Sequence, residues 1–243
     1  MRQEVKPFLE ALEAYTRAPG HGLPMYSFRL AGSDCVLVEC GIGMRKAEEA
    51  TREVLERHRP DILVSFGVAG AVTPDLAVGD VVMVQAVCRL DKGAVVDRRP
   101  AANWSAPAAM RAEGALAARG ARLLRGTAVT TSGEGAVAGA DGIASTVVEM
   151  ETAGVLRAAM ERGVPLLSIR SISDSPDEPL PFSIADTMDK EGRLRPGRVV
   201  MMVLRRPRLI IRLARLQRNM DLAMSNLAAA VVAAVEAQLS GLT

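Results

Sequence analysis

Pro60-Asp61-Ile62-Leu63-Val64-Ser65-Phe66-Gly67-Val68-Ala69-Gly70-Ala71 is the stretch that decides the fold. Residues 62–66 are a short apolar run bounded by Pro on one side and Gly on the other. A run of that length and composition reads as a buried strand rather than a helix. Gly67 to Ala71 then reads as a glycine turn. Upstream, Gly41-Ile42-Gly43 opens a helix that runs to about His58, and Pro60 marks its end. Downstream, Gly79-Asp80 opens a further strand, Val81 to Val87. A helix enters the strand and another strand leaves it, which is the rhythm of an α/β sheet.

The pattern continues outward. Residues 3–16 pattern as a helix, with Val5, Phe8, Leu9 and Leu12 on one face. Strands are expected at 25–31 and 35–40, joined by a Gly32-Ser33-Asp34 turn. Residues 89–105 read as irregular and hold the only tryptophan, Trp104. A helix at about 107–119 and a strand at about 122–131 follow. The Gly- and Ala-rich stretch 132–145 reads as a loop. Residues 146–149 form a strand that runs into a helix over 151–162, and 164–173 is strand again. From about 197 to 239 the chain reads as helical, broken at Pro207. The expected architecture is a three-layer α/β/α fold with a mixed central sheet, as one domain over residues 1–243. Such a fold usually begins with a strand, and this chain begins with a helix. A first strand is therefore expected to be missing from the sheet or to lie upstream.

Composition fits that architecture and narrows the chemistry. Hydrophobic residues make up 49% and aromatic residues 3%. The core is therefore aliphatic, as in sheets buried on both faces. The net charge of +2 predicts no nucleic-acid footprint. The cysteines, Cys35, Cys40 and Cys88, are odd in number and form no CxxC pair, so a reducing, cytoplasmic location is expected. His21 and His58 fall at no metal-ligand spacing, so no metal is expected. Met1-Arg2-Gln3-Glu4-Val5 is not apolar, so no signal peptide is expected, and no apolar stretch reads as approaching the ~20 residues of a membrane span.

Two segments concentrate chemistry. In Val148-Glu149-Met150-Glu151-Thr152-Ala153, two carboxylates lie two apart at the end of a strand. Positions i and i+2 of a strand share a face. Like charges there are costly to bury, and a ligand rich in hydroxyls would offset the cost. A helix N-terminus would also accept acids at this place. In Ile169-Arg170-Ser171-Ile172-Ser173-Asp174-Ser175-Pro176-Asp177, a strand delivers Ser173 and Asp174 to its C-terminal edge. Open α/β sheets bind ligands at that edge, where a carboxyl can act as a general acid. Ser-Asp-Ser-Pro-Asp is equally good turn chemistry. The two glycine segments, 41–43 and 67–71, match neither a dinucleotide fingerprint nor a P-loop. Each is explained as well by tight packing.

Together, Gly41-Ile42-Gly43, the stretch from Pro60 through Gly79-Asp80-Val81-Val82, Val148-Glu149-Met150-Glu151 and Arg170-Ser171-Ile172-Ser173-Asp174 resemble the nucleoside phosphorylase and nucleosidase superfamily. The motifs are nearest to methylthioadenosine/S-adenosylhomocysteine nucleosidase. The resemblance implies hydrolysis of the N-glycosidic bond of a purine nucleoside or 5′-substituted adenosine, without a cofactor. It implies that Asp174, held by Ser173, protonates N7 of the leaving purine. Glu151 would bind the ribose hydroxyls, and Glu4, in Met1-Arg2-Gln3-Glu4-Val5, would activate water. Glu149 and Met150 would line the sugar and base site, with Ala69 and Gly70 near the sugar. Arg170, Ile42 and Phe182 complete the expected substrate-binding set.

Val68 stands where the nucleosidases often carry Ser, and residues 132–145 lack the Phe that commonly stacks on adenine. The segment before Gly67 is Val64-Ser65-Phe66, without the Arg of the phosphorylases, so water is favoured over phosphate. A phosphate-dependent phosphorylase stays open as an alternative. So does a non-catalytic nucleoside-binding or membrane-peripheral protein. A homodimer is implied by the resemblance.

Nine arginines fall between Arg193 and Arg218, alternating with apolar residues. One reading is core-packing helices with solvated arginine faces. The other is contact of residues 194–218 with an anionic membrane surface. Leu180-Pro181-Phe182, Met188-Asp189-Lys190-Glu191-Gly192 and Arg205-Arg206-Pro207-Arg208 resemble the hopanoid-associated nucleosidase branch, which acts on an adenosylated lipid.

Overall fold

In a computed structural model, the described residues are 2–18, 22–92, 94–131, 144–175 and 208–241. Phe182 and most of the arginine-rich segment lie outside them.

The chain enters through helix α1 (Arg2–Glu10), which buries Val5, Phe8 and Leu9. The helix is shorter than the expected 3–16. Beyond it the chain extends into β1 (Tyr15–Ala18), which pairs antiparallel with β2 (Met25–Leu30). Neighbouring-strand hydrogen bonds outcompete the helical pattern there. β2 pairs in turn with β3 (Ser33–Val38). The turn sits at Ala31-Gly32, one residue before the expected one. Both have positive φ, 47° and 80°, the backbone that suits a two-residue hairpin.

Helix α2 (Met44–His58) leads to β4 (Leu63–Ala71). The expected glycine turn at 67–71 is strand. β4 pairs parallel with β9 (Leu166–Asp174) through Leu63↔Leu166 to Ala69↔Ile172, and a register irregularity follows at Ala69/Gly70. The glycines mark close approach on a strand, not a reversal. β5 (Val81–Asp91) and β6 (Ala94–Pro100) form a hairpin where irregular chain was expected. Helix α3 (Ala106–Ala117) is capped by Ser105, whose Oγ accepts the Ala108 N–H at 3.3 Å. β7 (Leu123–Thr130), β8 (Thr146–Glu149), helix α4 (Thr152–Glu161) and helix α5 (Arg208–Ser240) complete the described elements.

The mixed central sheet is six-stranded, in the order β6-β5-β7-β8-β4-β9. Its ends meet. β9 also pairs antiparallel with the first residues of β5, from Val81↔Ser171 to Val84↔Ser168. β5 then passes a register irregularity between Val84 and Ala86 and continues with β6. Strands β5, β7, β8, β4 and β9 therefore close into a ring. Alternate residues of β5 face opposite ways. Val81 and Met83 pack toward α1, α3 and α5, while Val82 and Val84 pack toward α2 and α4. These faces make the three layers.

Ala214–Ser240 of α5 is long and apolar enough to cross a membrane by length and composition, contrary to the expectation that no stretch would be. Its apolar residues Leu227, Ala228, Ala230, Val231 and Ala234 are packed in the core cluster that faces the sheet. Asn226 fixes it further, donating to the Gly79 carbonyl at 2.9 Å and accepting from Arg119 Nε at 2.9 Å.

Candidate active site

Strand registers bring the candidate residues together. Gly70 pairs with both Asp174 of β9 and Val148 of β8, and Thr130 of β7 pairs with Glu149. The ends of four strands thus carry Ala69, Gly70, Thr130, Glu149 and Asp174 into one neighbourhood.

Asp174 lies against the backbone of β4. A Cβ built on Gly70 would stand 2.6 Å from Asp174 Oδ2 and 3.2 Å from a Val148 methyl, so only glycine leaves the carboxylate where it is. Ser173 Oγ donates to Asp174 Oδ1 at 2.6 Å, and the Ala69 carbonyl lies 3.4 Å from the same hydroxyl.

The two glutamates of the Glu149-Met150-Glu151 motif hold different posts. Glu149 is buried. Its Oε2 accepts the main-chain N–H groups of Glu151 at 2.9 Å and Thr152 at 2.8 Å, which open α4. Its Oε1 accepts from the Thr130 hydroxyl. Glu149 is therefore the capping acid. Glu151 occupies the N-cap position but makes no side-chain cap. Its Oε1 reaches across to the Gly43 N–H at 2.7 Å, at the start of α2, and its Oε2 accepts the Met150 N–H at 3.3 Å. Burial, and then the negative charge of Glu149, push the Glu151 carboxyl above its ordinary range; the Gly43 N–H and Arg170 pull it back in part.

Arg170 stands behind the carboxylates rather than among exposed groups. It is 2% exposed. It donates to Thr152 Oγ1 at 2.6 Å, Ser65 Oγ at 2.7 Å and the Ile169 carbonyl at 2.9 Å, and it lies 3.5 Å from Glu149 Oε2. A buried ion pair so completed by hydrogen bonds avoids the cost of an uncompensated charge.

Glu4 comes from α1. Its Oε1 accepts the Val68 N–H at 3.1 Å and would stand 3.1 Å from a Cβ on Gly67. Its charge adds, as the smallest contribution, to the upward push on the Glu151 carboxyl. Met150 and Ile42 are partly buried, Ile42 in the turn whose Gly43 holds Glu151. Cys40 is in the same turn, its thiol pushed up by burial and by the charge of Glu151. No cluster of metal-ligand residues occurs among the described residues.

Sequence reading missed Thr130, Ser65, Thr152 and the Gly43 N–H. Each joins the candidate site only through a partner on another strand or helix. Nothing in the local sequence of β7 marks Thr130 as the neighbour of Glu149.

Known proteins resemble this chain throughout these elements. A family model described as "Phosphorylase superfamily" matches residues 1–205. A 5′-methylthioadenosine/S-adenosylhomocysteine nucleosidase of Shewanella halifaxensis is 26% identical over 208 residues, 79% of this chain and 90% of that protein. The nucleosidase of the same description from Colwellia psychrerythraea, solved in complex with adenine, superposes with a TM-score of 0.70 at 22% identity, covering 98% of this chain and 92% of that one. Futalosine hydrolase of Helicobacter pylori superposes with a TM-score of 0.68 at 16% identity, covering 97% and 94%.

Proposed function

This chain belongs to the phosphorylase superfamily, and we infer that it hydrolyses the N-glycosidic bond of a purine nucleoside or 5′-substituted adenosine, releasing the free base. The observation that carries the reading is the convergence of Asp174, Glu151 and Glu4 where β4, β8 and β9 meet.

In the proposed reaction Asp174 gives a proton to N7 of the purine as the C1′–N9 bond breaks and its electron pair passes to the base. Water adds to C1′ and loses a proton to Glu4. Glu151, which accepts only when ionised, holds the ribose hydroxyls. Acid and base flanking a glycosidic bond, with negative charge near an oxocarbenium-like sugar, supply both proton transfer and electrostatic stabilisation. Ser173 aims Asp174, and Ala69, Gly70, Ile42 and Met150 line the site.

Water is the proposed nucleophile. Glu149, Glu151 and Glu4 make the site negative, and Arg170 is engaged by Glu149, Ser65 and Thr152. A phosphate anion would meet repulsion there that neutral water would not. The reading carries with it a cytoplasmic homodimer, and a membrane contact through 194–218 if the 5′ group is a lipid.

The test is release of free base from methylthioadenosine, S-adenosylhomocysteine, adenosine and inosine, each with and without phosphate. Release without phosphate, lost in Asp174→Asn by about 10²-fold or more, is the expected result. Phosphate-dependent turnover would replace hydrolysis by phosphorolysis, and no release from the panel would overturn the reading for these 5′ groups.

A further inference from the structure

We propose that Thr130 is a positioning residue that sets the preference of the site for ribose over 2′-deoxyribose, an inference resting on the reading of Glu151 as the sugar-binding carboxylate. Thr130 is 1% exposed and ends β7 opposite Glu149. Its Oγ1 accepts the Ala153 N–H at 2.9 Å. An amide can only donate, so the hydroxyl proton is left for Glu149 Oε1, to which it is bonded. The direction of the whole chain follows. Ala153 N–H binds Thr130, Thr130 O–H binds Glu149, and Glu149 accepts the N–H of Glu151 itself.

Glu149 is thereby held on both oxygens, by Thr130 on one and by the start of α4 on the other. Glu151 is held at its main chain by Glu149 and at its carboxylate by Gly43 and Met150. Among the described residues one donor reaches each Glu151 oxygen, and a carboxylate oxygen has two acceptor directions. One direction per oxygen remains, which matches the two donors of a vicinal diol. A 2′-deoxy sugar fills only one of them. Removing the Thr130 hydroxyl leaves Glu149 Oε1 short of a buried partner, and the carboxylate turns to regain one. The main chain of Glu151 moves with it, and the second diol contact suffers most.

The experiment compares kcat/KM for an adenine ribonucleoside and its 2′-deoxy counterpart in wild type, Thr130→Val and Thr130→Ser. Valine keeps the shape and loses both hydrogen bonds; serine keeps the hydroxyl. The expected result is a ribo-to-deoxy ratio lowered about tenfold in Thr130→Val and restored to within about threefold of wild type in Thr130→Ser. Equal losses on both sugars, or no loss, would overturn the positioning role. Glu149→Gln alters the other end of the same bond without opening a cavity. It must lower the ratio in the same direction, and it decides the matter if Thr130→Val does not fold. Wild-type protein inactive on both sugars would overturn the underlying reading instead, whereas an active wild type with an unmoved ratio overturns only the role of Thr130.

Discussion

Glu149 accepts the main-chain N–H of Glu151 at 2.9 Å, so one carboxylate of the pair caps the helix and frees the other from that duty. Glu151 then spans to Gly43 of another helix. Two glutamates spaced two apart are in this way divided into a helix-capping acid and one that bridges to a second helix.

That division predicts unlike responses to mutation. Glu149→Ala strips two N–H groups of their cap and leaves Arg170 without its buried counter-charge, at a cost of about 3–5 kcal/mol. Glu151→Gln keeps its size and an acceptor oxygen and changes stability by less than about 1 kcal/mol while losing most activity. Denaturant unfolding beside base-release kinetics separates the two.

Gly70→Ala tests the seat of the acid. The added methyl meets the far end of Asp174, which rotates away from Ser173 at little cost to the backbone. We expect kcat to drop about 10²-fold, as for a displaced general acid, with a loss of stability limited to about 1 kcal/mol from the Val148 methyl 3.2 Å away. A variant with full kcat would show that Asp174 need not lie against β4.

The raised Glu151 carboxyl predicts a pH signature. A sugar diol donates to the ionised form, so kcat/KM falls as pH drops through the raised value. The acidic limb should lie above the ~4.3 of an ordinary glutamate. Stability moves the other way. The folded pKa exceeds the unfolded one, so ionisation costs the fold nothing below the unfolded value and penalises it increasingly as pH rises through the folded value. Glu151→Gln should therefore stabilise the protein more at neutral than at acidic pH. Melting curves across that range check it, and a gap that shrinks with rising pH would contradict it.

Gly154→Ala tests the spacing of α2 and α4. Its methyl would stand 2.1 Å from the Met44 carbonyl, which is backbone and cannot swing aside. Over-packing of this kind costs about 1–3 kcal/mol. It also pushes back the N-terminus of α2, whose Gly43 N–H holds Glu151. Loss of both stability and substrate affinity is expected, read by unfolding and by KM.

Much of this was legible in the chain. The apolar runs at 62–66 and 81–87, and the strand-to-helix passage at 146–162, read as the elements they are because length, glycine and periodicity agree there. Gly67 to Ala71 did not, since a glycine marks a turn and a close approach alike, and only the neighbouring Asp174 and Glu4 tell which. β6 was hidden because nearly all its residues are exposed, without a buried face to set a period of two. Asp174, Glu151 and Glu4 were named from motifs, and the structure places each at the meeting of β4, β8 and β9 or beside it. What the motifs could not give was the capping of α4 by Glu149 rather than Glu151, which depends on Thr130 and Arg170 arriving from other strands.

The closure of the sheet on itself has a consequence for how the chain folds. β9 is inserted between β4, about a hundred residues earlier in the chain, and β5, so both of its edges wait on long-range partners. Loops of that size are slow to close. Asp174 ends that strand, so a chain that has formed its helices and its other strands still lacks the carboxylate proposed as the acid. Refolding followed by fluorescence of Trp104, which donates to the Ser168 carbonyl of β9 at 3.2 Å, should therefore report the same late step as the return of activity.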